Sequence, residues 1–523
     1  MLSKIYSAAI FGLEVILIEV ETDISNGLHS FSIVGLPDPS IKEAKQRVSA
    51  AIKNFGAKSP LRANRKITIN LVPTDIKKYG SYYDLAIALG YLLASKQILP
   101  FNPEKKIFVG ELTLEGLLKP VRGVLAIAMW AEQEGYEYLF VPTQNAAEAA
   151  MATKNLKIIG VKSLQEVILF LENKIKILPA KKINYQNLNI GQRHYLDFSQ
   201  IKGQQKAKRA LMVAAAGRHN VLMVGPPGSG KTILAKAILS ILPKMSEEEC
   251  LEVTKIHSIS GLLPVSQPLI IQHPFQAPHH TASTAALIGG GSWPQPGEIT
   301  LAHRGILFLD EFPEFKRDVL EALRQPLEEG RISVSRVQGK ITYPAKFILV
   351  AAMNPCPCGY FGDPKKECYC SPGEIIRYRK KISGPLLDRI DIIIEVPRLS
   401  FKEISDKNIL ENSTTMKEKI IFAQKVQKER FYKRNLKNKS IPPVFYNGEI
   451  EIDDINQFCI LNREAEDLLK KAVNKYSLSP RAYHRILKIS RTIADLEGKE
   501  IISFNEIAEA LQYKAEFSWD QYN

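Results

Sequence analysis

The stretch GPPGSGKT at residues 225–232 decides the fold class of this chain. It follows the apolar run VLMV (221–224) and precedes the helix-like ILAKAILSIL (233–242). A glycine-rich loop between a buried strand and a helix is the context of a P-loop, whose backbone N–H groups surround phosphate oxygens. Lys231 is expected to reach the terminal phosphates and Thr232 to hold Mg²⁺. The predicted nucleotide-binding residues are Gly225, Pro226, Pro227, Gly228, Ser229, Gly230, Lys231 and Thr232.

A second motif lies about 80 residues further along the chain, where the apolar run ILFL (306–309) ends in Asp310 and Glu311. On a strand beside the first, Asp310 would position Mg²⁺ with Thr232. Glu311 would orient and deprotonate the attacking water. Paired acids at a strand end are otherwise common as solvated turn residues, but a phosphate loop in the same domain favours the catalytic interpretation.

Three polar residues in later motifs are candidates for sensing the nucleotide. FILVAAMN (347–354) ends a third strand in Asn354, which could contact the γ-phosphate or its water. GPLLDRID (384–391) contains Arg389, which in a ring of subunits could reach a neighbour's nucleotide. SPRAYHR (479–485) offers Arg481 as a second sensor. Without this context, single arginines are usually surface salt-bridge partners.

The wider pattern predicts an α/β protein with several folded units, because 523 residues exceed one ordinary core. We expect a mixed α/β domain at 1–171, a Lys-rich linker at 172–196, a P-loop ATPase domain at 197–398 and a C-terminal helical lid at 399–523. Short apolar strands in the ATPase domain are typical of a buried parallel sheet.

Charge and hydropathy point to an anionic partner. The formal net charge is +15, so the surface should attract DNA or another polyanion, although a merely basic protein has the same composition. The apolar start of the chain is interrupted by Glu14, Glu19 and Glu21, and no apolar run has the length of a membrane span. We therefore expect a cytoplasmic protein with no membrane partner.

Four of the six cysteines form a C-x-C-x9-C-x-C pattern, made by Cys356, Cys358, Cys368 and Cys370. Four thiolates suffice for a tetrahedral structural Zn²⁺. The C-x-C spacing is tighter than usual, so reduced thiols in a packed loop are the alternative. Cys250 and Cys459 lie elsewhere and are expected to be buried.

Seven ordered motifs together resemble the ComM (YifB-like) branch of the magnesium-chelatase-related AAA+ ATPases, and the resemblance covers nearly the whole chain. They are GPPGSGKT, FQAPHHTAS, GGGSWPQPGEITLAHRGILFLDEFPEF, ALRQPLEEGRISVSR, NPCPCG, SGPLLDRID and SPRAYHRILKISRTIADLEG. The resemblance implies a homo-hexamer that hydrolyses ATP with Mg²⁺ between subunits. It also implies a DNA helicase that drives branch migration of incoming DNA in natural transformation, with recombination proteins as further partners.

The same resemblance implies two elements lining the pore of the ring, an insert at about 282–298 and a hairpin at 330–344. The hairpin sequence RISVSRVQGKITYP alternates as a β-ribbon does and puts Arg336 and Lys340 near its tip. We expect these two residues to contact DNA phosphates; a solvated hairpin is the alternative.

The first domain resembles the Lon-type protease fold found in this family as the ChlI domain. The position of the nucleophilic serine holds Tyr82, and the position of the lysine holds Leu125. A serine–lysine dyad needs both partners, so we expect a non-proteolytic domain, with the adjacent Ser81 as a weak alternative nucleophile.

Two other features allow more than one interpretation. Nine basic residues between 417 and 439 could attract DNA or belong to a solvated connector: Lys417, Lys419, Lys425, Lys428, Arg430, Lys433, Arg434, Lys437 and Lys439. His279 and His280 are expected to serve in packing or an intersubunit hydrogen bond. A chelatase-like or chaperone-like remodelling ATPase is the alternative function, although the chain lacks an integrin-like metal-binding partner domain.

Overall fold

Helices and strands alternate along most of the chain, which confirms the predicted α/β class. The computed structural model describes residues 2–62, 65–183, 185, 196–264, 266–290, 295–336, 339–405, 411–437 and 443–515. The chain forms two compact units, and both are discontinuous. The first comprises Met1–Ile190 with Ser246–Ile271, and the second comprises Gly191–Met245 with Gln272–Asn523.

The described part of the first unit contains two larger sheets covered by helices and a short antiparallel pair, β6–β7. One sheet has the order β1-β2-β4-β3, in which β3 and β4 are parallel, and the other is the parallel sheet β5-β8-β9. Alternate residues of the long strands are buried beneath the helices. Its elements are β1 (Leu2–Phe11), β2 (Glu14–Asn26), β3 (Ser30–Val34), α1 (Pro39–Asn54), β4 (Arg65–Val72), α2 (Asp84–Ala94), β5 (Lys106–Phe108), β6 (Glu111–Leu112), β7 (Leu118–Lys119), α3 (Val124–Gln133), β8 (Tyr138–Pro142), α4 (Thr143–Ala150), β9 (Lys157–Val161) and α5 (Leu164–Leu171).

The second unit contains a five-stranded parallel sheet with the order β11-β14-β17-β10-β18. Every residue of its three central strands is buried. Its elements as far as β18 are α6 (Gln205–Gly217), β10 (Val221–Val224), α7 (Lys231–Ile241), β11 (Phe275–Gln276), α9 (Thr284–Ile288), β12 (Gly289–Gly290), β13 (Gln295–Pro296), α10 (Glu298–Leu301), β14 (Ile306–Leu309), α11 (Arg317–Ala322), α12 (Arg324–Glu329), β15 (Arg331–Arg336), β16 (Gly339–Pro344), β17 (Ile348–Met353), α13 (Pro372–Arg379), α14 (Gly384–Leu387) and β18 (Ile392–Glu395).

The C-terminal part of the second unit is helical, as expected for a lid. It packs on the ATPase sheet through a shared apolar core that includes Phe431, Ile486 and Ile493. The helices are α15 (Phe401–Ser405), α16 (Ser413–Lys437), α17 (Ile452–Phe458), α18 (Arg463–Tyr476), α19 (Pro480–Leu496) and α20 (Phe504–Ala515).

One segment groups differently from the predicted domain boundary. The helix α8 (Glu247–Ile259) follows α7 in the chain, inside the range expected for the ATPase domain. It belongs to the first unit, where Ile259 joins the core around α3 and α4. The backbone of Gly123 donates to the Ser258 carbonyl oxygen at 3.1 Å, and the Ser258 hydroxyl donates to the buried Glu148 carboxylate. Local periodicity carries no information about which core a helix joins.

Candidate nucleotide-binding site

The P-loop lies at the C-terminal edge of the parallel sheet, between β10 and α7. Gly225 follows β10, and a Cβ at this position would lie 2.1 Å from the Val396 carbonyl oxygen after β18. Only glycine permits this close approach of two backbones. The loop ends at Gly230, and α7 begins at Lys231, so the positive end of the helix dipole faces the loop.

Lys231 is held inside the loop by backbone oxygens. Its ammonium donates to the carbonyl oxygens of Gly225 at 2.6 Å and Pro226 at 3.0 Å, and to Oδ1 of Asn354 at 3.3 Å. Burial lowers the pKa of this amine to about 8, with nearby Asp310 acting in the opposite direction. A second negative charge, such as a phosphate group, would favour the charged form of this amine.

Thr232 and Asp310 meet at the predicted magnesium position. The Thr232 hydroxyl donates to Oδ2 of Asp310 at 2.8 Å. The hydroxyl lies in the first turn of α7 and the carboxylate follows β14, and these two oxygen ligands are of the kind that Mg²⁺ prefers. The structure therefore brings Thr232 and Asp310 together, and their binding of Mg²⁺ stays a prediction.

Glu311 contacts His280, for which the sequence predicted a different role. Its backbone is in the left-handed region at φ 51°, and its Oε2 lies 3.0 Å from Nδ1 of His280. The His280 ring contacts that of His279 in a tilted arrangement, with 4.1 Å between ring centroids. The interaction lies within one chain, whereas the sequence suggested packing or an intersubunit hydrogen bond. The sequence did contain a signal for this contact. The FQAPHHTAS motif begins with β11, which pairs with β14, the strand that precedes Glu311.

Asn354 follows β17, between the P-loop strand and the strand that carries Asp310. Its Oδ1 accepts from Lys231, so its side chain faces the phosphate-binding loop. The structure thus brings together the P-loop, Asp310, Glu311 and Asn354 at one edge of the sheet, because parallel neighbouring strands end there.

Arg389, the candidate intersubunit arginine, and Arg481, the candidate second sensor, share one carboxylate. Glu328 on α12 accepts from the guanidinium of Arg389 and lies 3.9 Å from that of Arg481. Arg389 also donates to the Pro385 carbonyl oxygen at 2.7 Å. Its Nε is buried and has no hydrogen-bond partner among the described residues. No described contact joins either arginine to the P-loop of the same chain.

A further arginine in the SPRAYHR motif has a structural role. Arg485 is buried and donates to Oδ1 of Asp388 at 3.2 Å and to the Ile390 carbonyl oxygen at 3.0 Å. It thereby attaches α19 to the two residues that flank Arg389 in the chain. The motif contains two arginines, and spacing alone did not distinguish this one from Arg481.

The four predicted zinc ligands converge. The Sγ atoms of Cys356, Cys358, Cys368 and Cys370 all lie within 4.8 Å of one another. Cys356 is 3.3 Å from Cys358 and 3.6 Å from Cys368, between sulfur atoms. A tetrahedral zinc with bonds of about 2.3 Å requires sulfur–sulfur separations of about 3.8 Å. The remaining cysteines, Cys250 and Cys459, are buried elsewhere.

The predicted pore elements are described only in part. The strands β15 and β16 form an antiparallel hairpin that pairs Arg336 with Gly339 and Ser335 with Lys340. Its tip at 337–338 and the segment 291–294 of the insert lie outside the described residues, as do the side chains of Arg336 and Lys340. Their contacts with DNA stay a prediction.

The Lon-like positions of the first unit are occupied by non-nucleophilic groups. Burial raises the pKa of the Tyr82 phenol to about 12, and Leu125 is fully buried on α3. The hydroxyl of Ser81 donates to the carboxylate of Glu111. The absence of proteolysis stays a prediction from the sequence.

The basic segment lies on α16 as far as Lys437, and Lys439 lies outside the described residues. The described side chains of the segment face in two directions. Arg430 binds Asp495, and Arg434 binds Asp454, both toward the core of the second unit. Phe431 is fully buried, whereas Lys428 and Tyr432 are exposed. The charge run therefore combines structural ion pairs with a solvated face.

The site fits a nucleoside triphosphate with Mg²⁺. Beside Gly228 and Gly230 no described heavy atom lies within 4 Å of where a Cβ would stand, which leaves room for phosphate groups next to backbone N–H donors. The Lys231 ammonium donates to two carbonyl oxygens, and phosphate oxygens could replace them as acceptors. The oxygen pair of Thr232 and Asp310 suits a hard cation.

Comparisons with known proteins agree with this architecture. Three family models match: "Subunit ChlI of Mg-chelatase" at 20–145, "Magnesium chelatase, subunit ChlI" at 197–404 and "Magnesium chelatase, subunit ChlI C-terminal" at 410–514. The chain is 43% identical to Competence protein ComM of Haemophilus influenzae over 98% of this chain and 97% of that protein. It is 41% identical to protein YifB of Escherichia coli over 98% and 97% of the two chains. It is also 27% identical to the Magnesium-chelatase 38 kDa subunit of Cereibacter sphaeroides, over 30% and 52%.

Proposed function

Because the chain belongs to the ComM/YifB-like branch of the magnesium-chelatase-related AAA+ ATPases, we propose that it is a ring-forming, DNA-translocating ATPase. Its most specific form is a hexameric helicase that drives branch migration of incoming DNA during natural transformation. The convergence of Lys231, Thr232, Asp310 and Glu311 at one sheet edge carries the ATPase part.

In this proposal each residue has one task in ATP hydrolysis. Lys231 exchanges its carbonyl partners for the terminal phosphates, and Thr232 and Asp310 hold Mg²⁺. The ion neutralises charge on the phosphates when it is bound. Glu311 takes a proton from the attacking water and Asn354 orients it. Arg389 and Arg481 act on the nucleotide of the adjacent protomer, where they stabilise charge that develops on the leaving phosphate.

Two observations support DNA as the substrate. The net charge is +15, which favours a polyanion. The similar Haemophilus protein is named a competence protein. Chromosomal DNA as substrate would put the protein in the cytoplasm. Among the described residues, none of the helices has the length and apolar character that a bilayer crossing requires.

We also propose that Cys356, Cys358, Cys368 and Cys370 bind one structural Zn²⁺. The four sulfur atoms lie within 4.8 Å of one another, close enough for all four to bind one ion. Two backbone groups donate to them, Cys358 N to Cys370 Sγ at 3.4 Å and Phe361 N to Cys356 Sγ at 3.3 Å. Such N–H groups stabilise thiolates.

Turnover and strand movement test the motor function together. We expect ATP hydrolysis by the purified protein to rise when forked or four-way DNA is added at low salt. Lys231→Ala should abolish hydrolysis because the phosphates lose their cation. Arg336→Ala should retain hydrolysis but lose branch migration because the hairpin loses a phosphate contact. Hydrolysis that stays flat on addition of every DNA substrate would contradict the proposal.

A remodelling ATPase is the second candidate, favoured by the 27% identity to a magnesium-chelatase subunit. Remodelling predicts stimulation of hydrolysis by a protein partner and not by DNA. Comparing the two stimulations on the same preparation separates the candidates.

A further inference from the structure

The cysteine loop (residues 355–370) makes direct contact with the phosphate-binding loop. Gly359 has φ 86°, and a Cβ at this position would lie 2.7 Å from Cδ and 2.8 Å from Cγ of Pro227. The same Cβ would lie 3.8 Å from Cγ of Asn354. The backbone of the cysteine loop therefore packs against the P-loop so closely that no side chain fits between them.

The cysteine cluster fixes the position of Gly359. The Gly359 backbone N–H donates to the Cys356 carbonyl oxygen at 3.0 Å, and Gly359 follows Cys358 directly. On the far side, the Phe361 N–H donates to the sulfur of Cys356. Two of the cysteines precede Gly359 in the chain and two follow it. Binding of all four to one ion would therefore restrict the backbone at Gly359, which contacts Pro227.

A second connection joins the cysteine loop to the P-loop from another direction. The Asp363 side chain has no exposed surface and its Oδ2 lies 3.3 Å from Nε of Arg398. The preceding residue, Pro397, accepts from the Gln204 amide at 2.6 Å, and this amide also lies 3.3 Å from the Ser229 carbonyl oxygen. Two positions in the phosphate loop, Pro227 and Ser229, thus have contacts that lead back to the cysteine loop.

We propose that the cysteine loop positions the phosphate-binding loop, with Gly359 as the positioning residue, so that nucleotide affinity depends on the zinc ion held by the four cysteines. This inference rests on the ATPase function and the zinc site proposed above. A P-loop binds phosphate well only when its N–H groups are held in the binding arrangement before the ligand arrives. The contact at Pro227 and the hydrogen bond at Ser229 provide that restraint.

The chain offers a matched pair of variants for the test. Gly362 lies in the same loop at φ 76°, but no described atom lies within 4 Å of where its Cβ would stand. Gly359→Ala and Gly362→Ala therefore introduce similar backbone strain, and only the first pushes against Pro227. We expect Gly359→Ala to weaken binding of a fluorescent ATP analogue by about 10-fold or more. Gly362→Ala should stay close to wild type, and both should retain zinc, measured by elemental analysis.

A second arm removes the metal from the wild-type protein with a chelator. Nucleotide affinity should fall by a factor similar to that of Gly359→Ala and recover when zinc is restored. Equal affinity of the two glycine variants, or unchanged affinity after zinc removal, overturns the inference. If Gly359→Ala does not fold, Asp363→Asn tests the second connection, and unchanged nucleotide affinity in that variant also overturns it.

The outcomes separate this inference from the proposals on which it depends. Wild-type protein purified without zinc contradicts the metal site and hence the metal dependence. Normal nucleotide binding without stimulation by DNA contradicts the motor function and leaves the Gly359 comparison fully interpretable.

Discussion

At the scale of single residues, His280 is the most informative addition to the predicted site. Its imidazole lies 3.0 Å from the carboxylate of Glu311, the expected base for the attacking water. Contact with the imidazole leaves the carboxylate fewer orientations. We therefore propose His280 as a positioning residue for Glu311.

Replacing His280 tests this role. We expect His280→Ala to lower kcat by about 10-fold, less than the roughly 100-fold or more that loss of a general base costs. KM for ATP should change little, because His280 has no described contact with the P-loop residues. His279→Ala is the control, since His279 is exposed and its Nδ1 lies 2.9 Å from the Thr281 hydroxyl. Equal kcat values for the two variants would contradict the assignment.

At the scale of elements, α16 shows that a basic run can serve two purposes. Arg430 donates to Asp495, whose side chain has no exposed surface, and to Asn447 at 3.2 Å. Arg434 pairs with Asp454 at 2.5 Å. These arginines attach α16 to α17 and α19, so they contribute to folding and are withdrawn from DNA.

The stability of the lid should depend on this inward face. We expect Arg430→Ala to lower the free energy of unfolding by about 2 kcal/mol, because the buried Asp495 would lose the hydrogen bonds from one of its two guanidinium partners and keep those from Arg491. Lys428→Ala, on the exposed face of the same helix, should leave it unchanged. Urea unfolding of both variants provides the measurement. Coincident unfolding curves would show that the Arg430 pair contributes nothing.

The sequence was sufficient for elements whose residues are neighbours in the chain. The P-loop, the strand before Asp310 and the alternation of the hairpin are all local patterns, and the structure contains the strands and helices that they predict. Contacts that depend on tertiary placement were not accessible. The pairing of His280 with Glu311, the role of Arg485 and the packing of Gly359 on Pro227 each join segments far apart in sequence. The pairing of both Arg389 and Arg481 with Glu328 is likewise a tertiary contact that the sequence did not predict.

At the scale of the whole molecule, the placement of Arg389 and Arg481 supports shared active sites. Both arginines pair with Glu328, and their described contacts do not include the P-loop of their own chain. A nucleotide phosphate from an adjacent protomer could replace Glu328 as their partner. In a ring, each site would then combine Glu311 of one protomer with Arg389 of the next.

Mixing inactive variants tests this arrangement. Arg389→Ala and Glu311→Gln should each abolish ATP hydrolysis in homogeneous rings. When the two are mixed and allowed to exchange subunits, some interfaces should combine an intact Glu311 with an intact Arg389. We therefore expect a part of the wild-type hydrolysis rate to return. Mixtures that stay inactive after demonstrated subunit exchange would exclude shared sites.

The discontinuity of both units has a consequence for modular engineering. Because Ser246–Ile271 is encoded between parts of the ATPase sheet but completes the core of the first unit, the polypeptide passes from one unit to the other three times. Cleaving the chain once, near residue 190, would therefore leave the first unit without Ser246–Ile271 and attach that segment to the second unit. A chimera that exchanges the first unit with that of a relative must transplant two separate stretches of coding sequence together.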